Sequence, residues 1–243
     1  MEWNDQGIVL SARRHGETSA IVTLLTAAHG VHAGLVRGGS SPKAGGALQP
    51  GNMVSATWRA RLAEHLGAFK CELTRAFAAP LLDDPLRLAA LSSACAVAEF
   101  SLPERHPYLS VYNALSALLE ALEGDAWPSL YVRWELALLG DVGFGLDLES
   151  CAATGGNDQL AYVSPKSGRA VSVSAAEPYK KSLLPLPSFL LKEGAAGDAR
   201  EVADGLKLTG HFLNRHVFAQ KNCAEPPARS RLLRRLTRNT KNH

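Results

Sequence analysis

The residues of this chain best suited to metal or nucleophilic chemistry are eight histidines and four cysteines, and their spacing supports neither. His29 and His32 flank a turn, while His211 and His216 stand five apart and diverge on a helix. Cys71, Cys95, Cys151 and Cys223 never form a CxxC pair, which reads as reduced thiols in a cytosolic protein rather than a disulfide framework. HExxH, GxSxG and GxxxxGK(S/T) are absent. GGSSPK, starting at Gly38, has glycines and a lysine at the wrong spacing for a phosphate loop, and no helix is expected to follow it. Gly143-Phe144-Gly145 follows a helical pattern rather than a strand, so it reads as a helix stop. No enzyme activity, cofactor or metal is expected from these residues.

Phosphate binding is the chemistry the side chains do offer. The net charge of +3 conceals an uneven distribution. Residues 1–80 carry eight Lys/Arg against five Asp/Glu, residues 81–199 eight against fifteen, and residues 200–243 ten against three. From Arg229 to Lys241 there are six basic residues and no acid. Basic ends around an acidic middle suit a polyanion such as nucleic acid, although a solvated face or a disordered tail would look the same. In the first segment the candidate phosphate ligands are Arg13, Arg14, Arg37, Lys43, Arg59, Arg61 and Lys70. Trp58 adjoins Arg59 and Phe69 adjoins Lys70, either as platforms for stacked bases or as core.

The elements that must position these groups are legible from pattern. GIVLSARR, SAIVTLLT, VHAGLVR, NMVSATWRAR and AFKCELTRAF alternate apolar and polar residues between Gly, Pro and Asn breaks. Five short strands over residues 7–77 suit a five-stranded OB-fold barrel, with an SH3-like barrel fitting nearly as well. Between the third and fourth strands runs an acid-free loop, VRGGSSPKAGGALQPG, whose flexibility and charge suit a phosphate backbone without base specificity. Beyond Ala79-Pro80 the period becomes helical. Asp84-Pro85 predicts an N-cap, PYLSVYNALSALLEALEG predicts a stripe of Leu109, Tyr112, Leu115, Leu119 and Leu122, and LYVRWELALLGDVGFG predicts a third helix. Turn signals surround a strand-like LAYVS within 147–176, helical pattern returns at 199–218, and RSRLLRRLTR follows a Pro-Pro pair.

At 243 residues, 46% apolar and 20% charged, the chain has ordinary globular composition and room for one or two domains. MEWNDQGIVL lacks the basic and apolar regions of a signal peptide, and no run of about 18 apolar residues could span a bilayer. The reading is α+β: a barrel over 1–80 and a mostly helical domain over 81–243, in the cytoplasm.

GIVLSARRHGETSAIVTLLTAAHG, GGALQPG, RWELALLGDVGFGLDLESC and YVSPKSGRAVS together resemble the RecO family of DNA repair proteins, from about residue 6 to residue 236. The resemblance implies a nucleoid-associated recombination mediator of the bacterial RecF pathway, not an enzyme. Such a protein binds single- and double-stranded DNA, anneals complementary strands, and with RecR helps RecA replace single-stranded DNA-binding protein, SSB. It implies an N-terminal OB-fold, a helical domain and a zinc-ribbon-like insertion, here 147–176. Many members hold zinc there through four cysteines beginning CxxC. This chain reads Cys151-Ala152-Ala153-Thr154 with no later cysteine in the insertion, too few ligands for a tetrahedral site.

The resemblance further implies that the helical domain takes the acidic C-terminal tail of SSB. Arg133 and Arg215 are the residues expected to grip its carboxylates, with Leu136, Phe212 and Leu213 as walls, unless those arginines pair with Glu135 or Glu201 instead. On the residues alone, an RNA-binding or ribosome-associated module is the alternative, and a scaffold docking an acidic protein is a third.

Overall fold

The computed structural model describes residues 1–221 and 224–239, with Lys43 and Asn239 described by backbone alone. The chain forms two compact units, Met1–Glu123 and Gly124–His243. Strand gives way to helix near residue 80, as the pattern predicts, but the next two helices cluster with the barrel. The boundary of compactness therefore falls after Glu123.

In the first unit five strands close a barrel: β1 Glu2–His15, β2 Ser19–Thr26, β3 Gly30–Val36, β4 Met53–Arg59 and β5 Ala68–Arg75, in the order β1-β2-β3-β5-β4. Only the β3–β5 pair is parallel. This is the OB-type arrangement that five short alternating strands predict. The pairing also shows how the barrel closes. Glu2 opposes Arg59, Arg59 opposes Ala68, Ala68 opposes Leu35, Leu35 opposes Ile21, and Ile21 opposes Arg13. One circuit thus returns to β1 at residue 13 instead of residue 2, the stagger that a tilted closed barrel requires.

Alternation along the strands buries one face. Val9, Val22, Leu24, Val36, Val54 and Trp58 meet inside with Phe69. Trp58 is 2% exposed and Phe69 5%, so these rings are core and not surface platforms for bases. Trp58 Nε1 is satisfied by the carbonyl of Leu66 at 3.1 Å. Opposite Phe69 the wall must be glycine: a Cβ on Gly34 would stand 2.4 Å from the Phe69 ring.

His32 also points into this core, wedged among Trp3, Trp58 and Phe69, with neither ring nitrogen hydrogen-bonded. Burial, then the nearby Arg105 and His29, push its pKa down to about 4. The folded state therefore keeps His32 neutral while the unfolded chain protonates it below its ordinary 6.5. Stability should be full above pH 6.5 and fall as the pH drops toward 4, by about 3 kcal/mol from this group alone. Urea titrations of wild type and His32→Leu across that window measure it. Equal slopes of stability against pH would refute the assignment.

The helices of the first unit are α2, Pro85–Ser101, and α3, Leu109–Ala121. Asp84 caps α2 as predicted, its Oδ1 accepting from the amides of Leu86 and Arg87 at 3.0 Å. In α3 the expected stripe is rotated. Leu115, Leu119 and Leu122 are buried, but Leu109 is 56% exposed, and Val111 and Leu118 take its place in the core.

The second unit is organised around α4, Trp127–Asp141, which buries side chains on most of its circumference. Gly143, at φ +91°, ends it. The amides of Gly143 and Phe144 donate back to Gly140 and Leu139, the left-handed stop expected of that glycine cluster. Three short strands, β6 Leu160–Val163, β7 Ala170–Ser172 and β8 Leu184–Pro185, form a small antiparallel sheet, of which β6 and β7 fall within 147–176 and β8 lies beyond it. A short α5, Val173–Ala176, follows β7. Helix α6, Ala199–Phe212, starts from an Asp198–Glu201 capping box and runs into a π turn, Leu213–Phe218.

The basic segment after Pro226 is a helix, α7, Pro227–Asn239, where the sequence left open a loose tail. It is fastened through Arg229, which is 1% exposed. Its guanidinium reaches both oxygens of the fully buried Glu135 on α4, at 2.7 and 2.8 Å, and also Glu225 at 2.5 Å and the Leu206 carbonyl at 2.9 Å. Thr209 of α6 donates to the same Glu135 carboxylate. Three helices thus meet at one buried ion pair.

Candidate nucleic-acid interface

The loop between β3 and β4 is less free than its composition suggests. A six-residue helix, α1 (Pro42–Ala47), lies within it, capped by Ser41. This corrects the expectation that no helix follows GGSSPK, although one turn and a half is too short to act as a phosphate seat. Ser40 ties the loop to the β1–β2 turn through Thr18 O at 3.0 Å and Ser19 O at 2.7 Å. Asn52 anchors the other end: its amide donates to Gly46 O at 3.0 Å and its Oδ1 accepts the Ala78 amide at 3.1 Å. Asn52 is 1% exposed, so Asn52→Ala would strand buried polar groups. A loss of about 2–3 kcal/mol by chemical denaturation is expected, and an unchanged midpoint would show that the tether carries no weight.

The seven cations predicted for the barrel separate into two kinds. Arg59 pairs with Glu2 at 2.7 Å across the β4–β1 ladder, and Lys70 with Glu72 at 2.8 Å along β5. Their strand faces are close to neutral. Arg13, Arg37 and Arg61 are exposed and pair with no acid among the described residues, and Arg14 donates only to the Glu17 carbonyl. The side chain of Lys43 lies outside the described residues.

Alternation sends Arg13 and Arg14 to different sides of β1. Arg13 lines a hollow of about 460 Å³ with Glu64, Glu99, Glu104 and Arg105, where the acids outnumber the bases. Arg14 lines a second hollow of about 340 Å³ against Gly39, Ser40, Gly45 and Pro50, with no acid among its walls. Arg37 adjoins the same loop, because Val36 pairs with Ala20 and Ala20 with Arg14. Of the two hollows, the one without an acidic wall is therefore on the Arg14–Arg37–loop side.

One organiser of the barrel surface left no mark in the sequence. Arg105, at φ +61°, donates to the carbonyls of Ala63, Glu64 and His65 and so clasps the β4–β5 connection that carries Arg61. Such a non-glycine left-handed residue carries no compositional signal.

In the second unit Arg133 and Arg215 are held by different segments. Arg133 Nη2 donates to the carbonyls of Phe189, Lys192 (2.7 Å) and Ala195 (3.1 Å), and its guanidinium lies over the Phe189 ring. Arg215 is exposed and donates to Pro165 O at 2.6 Å. Neither pairs with Glu135 or Glu201, since Arg229 takes the first and the α6 cap the second. Phe212 and Leu213 are buried in the core, which excludes them as walls of an open pocket, while Leu136 is half-buried.

In the insertion, Cys151 is fully buried and forms an apolar knot with Val171 and Ala176. Its Sγ accepts the Ser172 amide at 3.3 Å and lies within hydrogen-bonding distance of Ser172 Oγ at 3.5 Å. Hydrogen bonding with Ser172, then Thr154, draws the thiol pKa down to about 6. Cys71 and Cys95 are free thiols pushed up to about 12 by burial, and Cys223 lies outside the described residues. Among the described residues no three His, Cys, Asp or Glu side chains stand together as a metal site, and no helix is long and apolar enough to cross a membrane.

Comparison with known proteins covers nearly the whole chain. Residues 1–77 match the family model for the N terminus of recombination protein O, and residues 82–222 match that for its C terminus. The chain belongs to the RecO family. The DNA repair protein RecO of Rhodospirillum centenum is 58% identical over 237 residues, covering 97% of this chain and 94% of its own. The RecO proteins of Rhodospirillum rubrum and Cereibacter sphaeroides are 51% and 52% identical, each over 98% of this chain and at least 97% of their own. The RecO-type N-terminal model ends at the junction of barrel and helix, so the two family models follow secondary structure while the compact units divide at Glu123.

Proposed function

We propose that this chain is a DNA repair and recombination mediator that binds and anneals single-stranded DNA and, with RecR, helps load RecA onto SSB-coated DNA. The observation that carries the reading is an OB-type barrel presenting Arg14 and Arg37 beside an acid-free, tethered glycine-rich loop, in a chain alike over nearly its whole length to proteins called DNA repair protein RecO. Backbone phosphates meet cations there without base-reading groups, which suits a protein that must hold any sequence. No covalent step is assigned to any residue: the protein works by binding, in the cytoplasm at the nucleoid, without cofactor. Double-stranded DNA is bound through the same phosphate chemistry.

Among the partners, the SSB tail is assigned to the helical unit. Arg215, exposed and with N–H groups to spare, is the better carboxylate ligand there. Arg133 acts by holding the 189–195 segment in place. The test is annealing of complementary strands coated with SSB, with and without RecR. Acceleration by the chain supports the reading. Binding confined to structured RNA, or no nucleic-acid binding, overturns it.

A further inference from the structure

Helix α7 has two unlike faces. Ala228, Arg229 and Leu232 are buried against the second unit, whereas Arg231, Arg234, Arg235 and Arg238 are exposed. Steps of three, one and three residues put these four cations on one arc of about 100° and about 10 Å of helix. No acid occurs after Glu225, and that acid is committed to Arg229 and Ser230. Like charges at such spacing disfavour a helix, and α7 carries no acidic residue. The helix is held in place from its other side, by Leu232 and the Arg229–Glu135 ion pair. A cationic stripe on a rigidly fastened helix is built to meet an anion lattice.

The geometry points to α7 as a second nucleic-acid backbone site, separate from the barrel's, so that one chain holds two strand segments at once. The inference rests on the DNA-binding reading above and adds to it where the second strand sits. DNA is the fitting occupant because a stripe of guanidiniums without hydrophobic residues matches repeating phosphates, whereas a membrane surface would call for exposed apolar side chains beside them.

The experiment titrates the full chain with a short labelled polythymidine strand at low salt. Wild type should bind two strands per chain. Arg231→Gln/Arg234→Gln/Arg238→Gln should bind one, and the salt slope of the lost phase should account for about 2 log units per log unit of salt, from three contacts at 0.7 each. Replacing the same three by lysine should keep both phases, and Arg14→Ala/Arg37→Ala should remove the other phase. If the triple glutamine variant fails to fold, Arg234→Gln alone should lower the slope by about 0.7. Two strands bound by the folded triple variant would overturn the second site, as would loss of anionic-vesicle binding with DNA stoichiometry unchanged. A single strand on wild type, lost only in the barrel variant, would also overturn it and leave the DNA-binding reading standing. No strand on wild type would sink both.

Discussion

Arg229→Ala is expected to destabilise the second unit by about 3–5 kcal/mol, enough to lower its melting temperature by on the order of 10 °C. The size comes from what is left behind. Glu135 is wholly buried, and both its oxygens are bonded to Arg229, with Thr209 as a further donor. Removing the guanidinium leaves a carboxylate without its counter-charge in a site water does not reach, and frees the Leu206 carbonyl as well. The attraction of the pair itself is a smaller matter, since two charges had to be desolvated to form it. Arg229→Met combined with Glu135→Leu should therefore recover most of the loss, because neither ion then remains to be buried. Thermal unfolding followed by circular dichroism separates the cases. A single variant that melts with wild type would show the pair to be dispensable.

Replacing Arg14, Arg37 and Lys43 together by alanine should weaken single-stranded DNA binding for all sequences alike. It should flatten log K against log[salt] by about 2, three phosphates at roughly 0.7 each. Arg59→Ala/Lys70→Ala should do far less, because those cations already face Glu2 and Glu72 and bring little net charge. Arg13→Ala falls between, given the acids around its hollow. Fluorescence anisotropy over a salt series gives all three slopes. A ranking with Arg59 and Lys70 first would move the strand to the opposite side of the barrel.

The barrel was legible because alternation with period two is a local property, although β1 runs from Glu2, five residues before the GIVLSARR pattern begins. The start of α2 was legible for the same reason: Asp84-Pro85 is a capping device complete in itself. What escaped depends on residues far apart. Arg229 sits in a run of like cations, and nothing in the run separates it from Arg231, since its partner lies 94 positions upstream. The pairing of Arg59 with Glu2 needed the β1–β4 register. Helix α1, with two glycines in six residues, has poor propensity, and Ser41 and Asn52 tether it at its two ends.

The same ion pair bears on how the protein is made. Glu135 leaves the ribosome well before Arg229, and until the later residue arrives α4 carries a carboxylate that its own neighbourhood cannot neutralise. The second unit therefore has no complete interior during most of its synthesis. The barrel, whose strand pairs all lie within residues 2–75, can close first. Nascent chains stalled just before and just after Arg229 emerges should differ sharply in protease resistance of the second unit. Equal resistance would mean that α4 and α6 settle without waiting for α7.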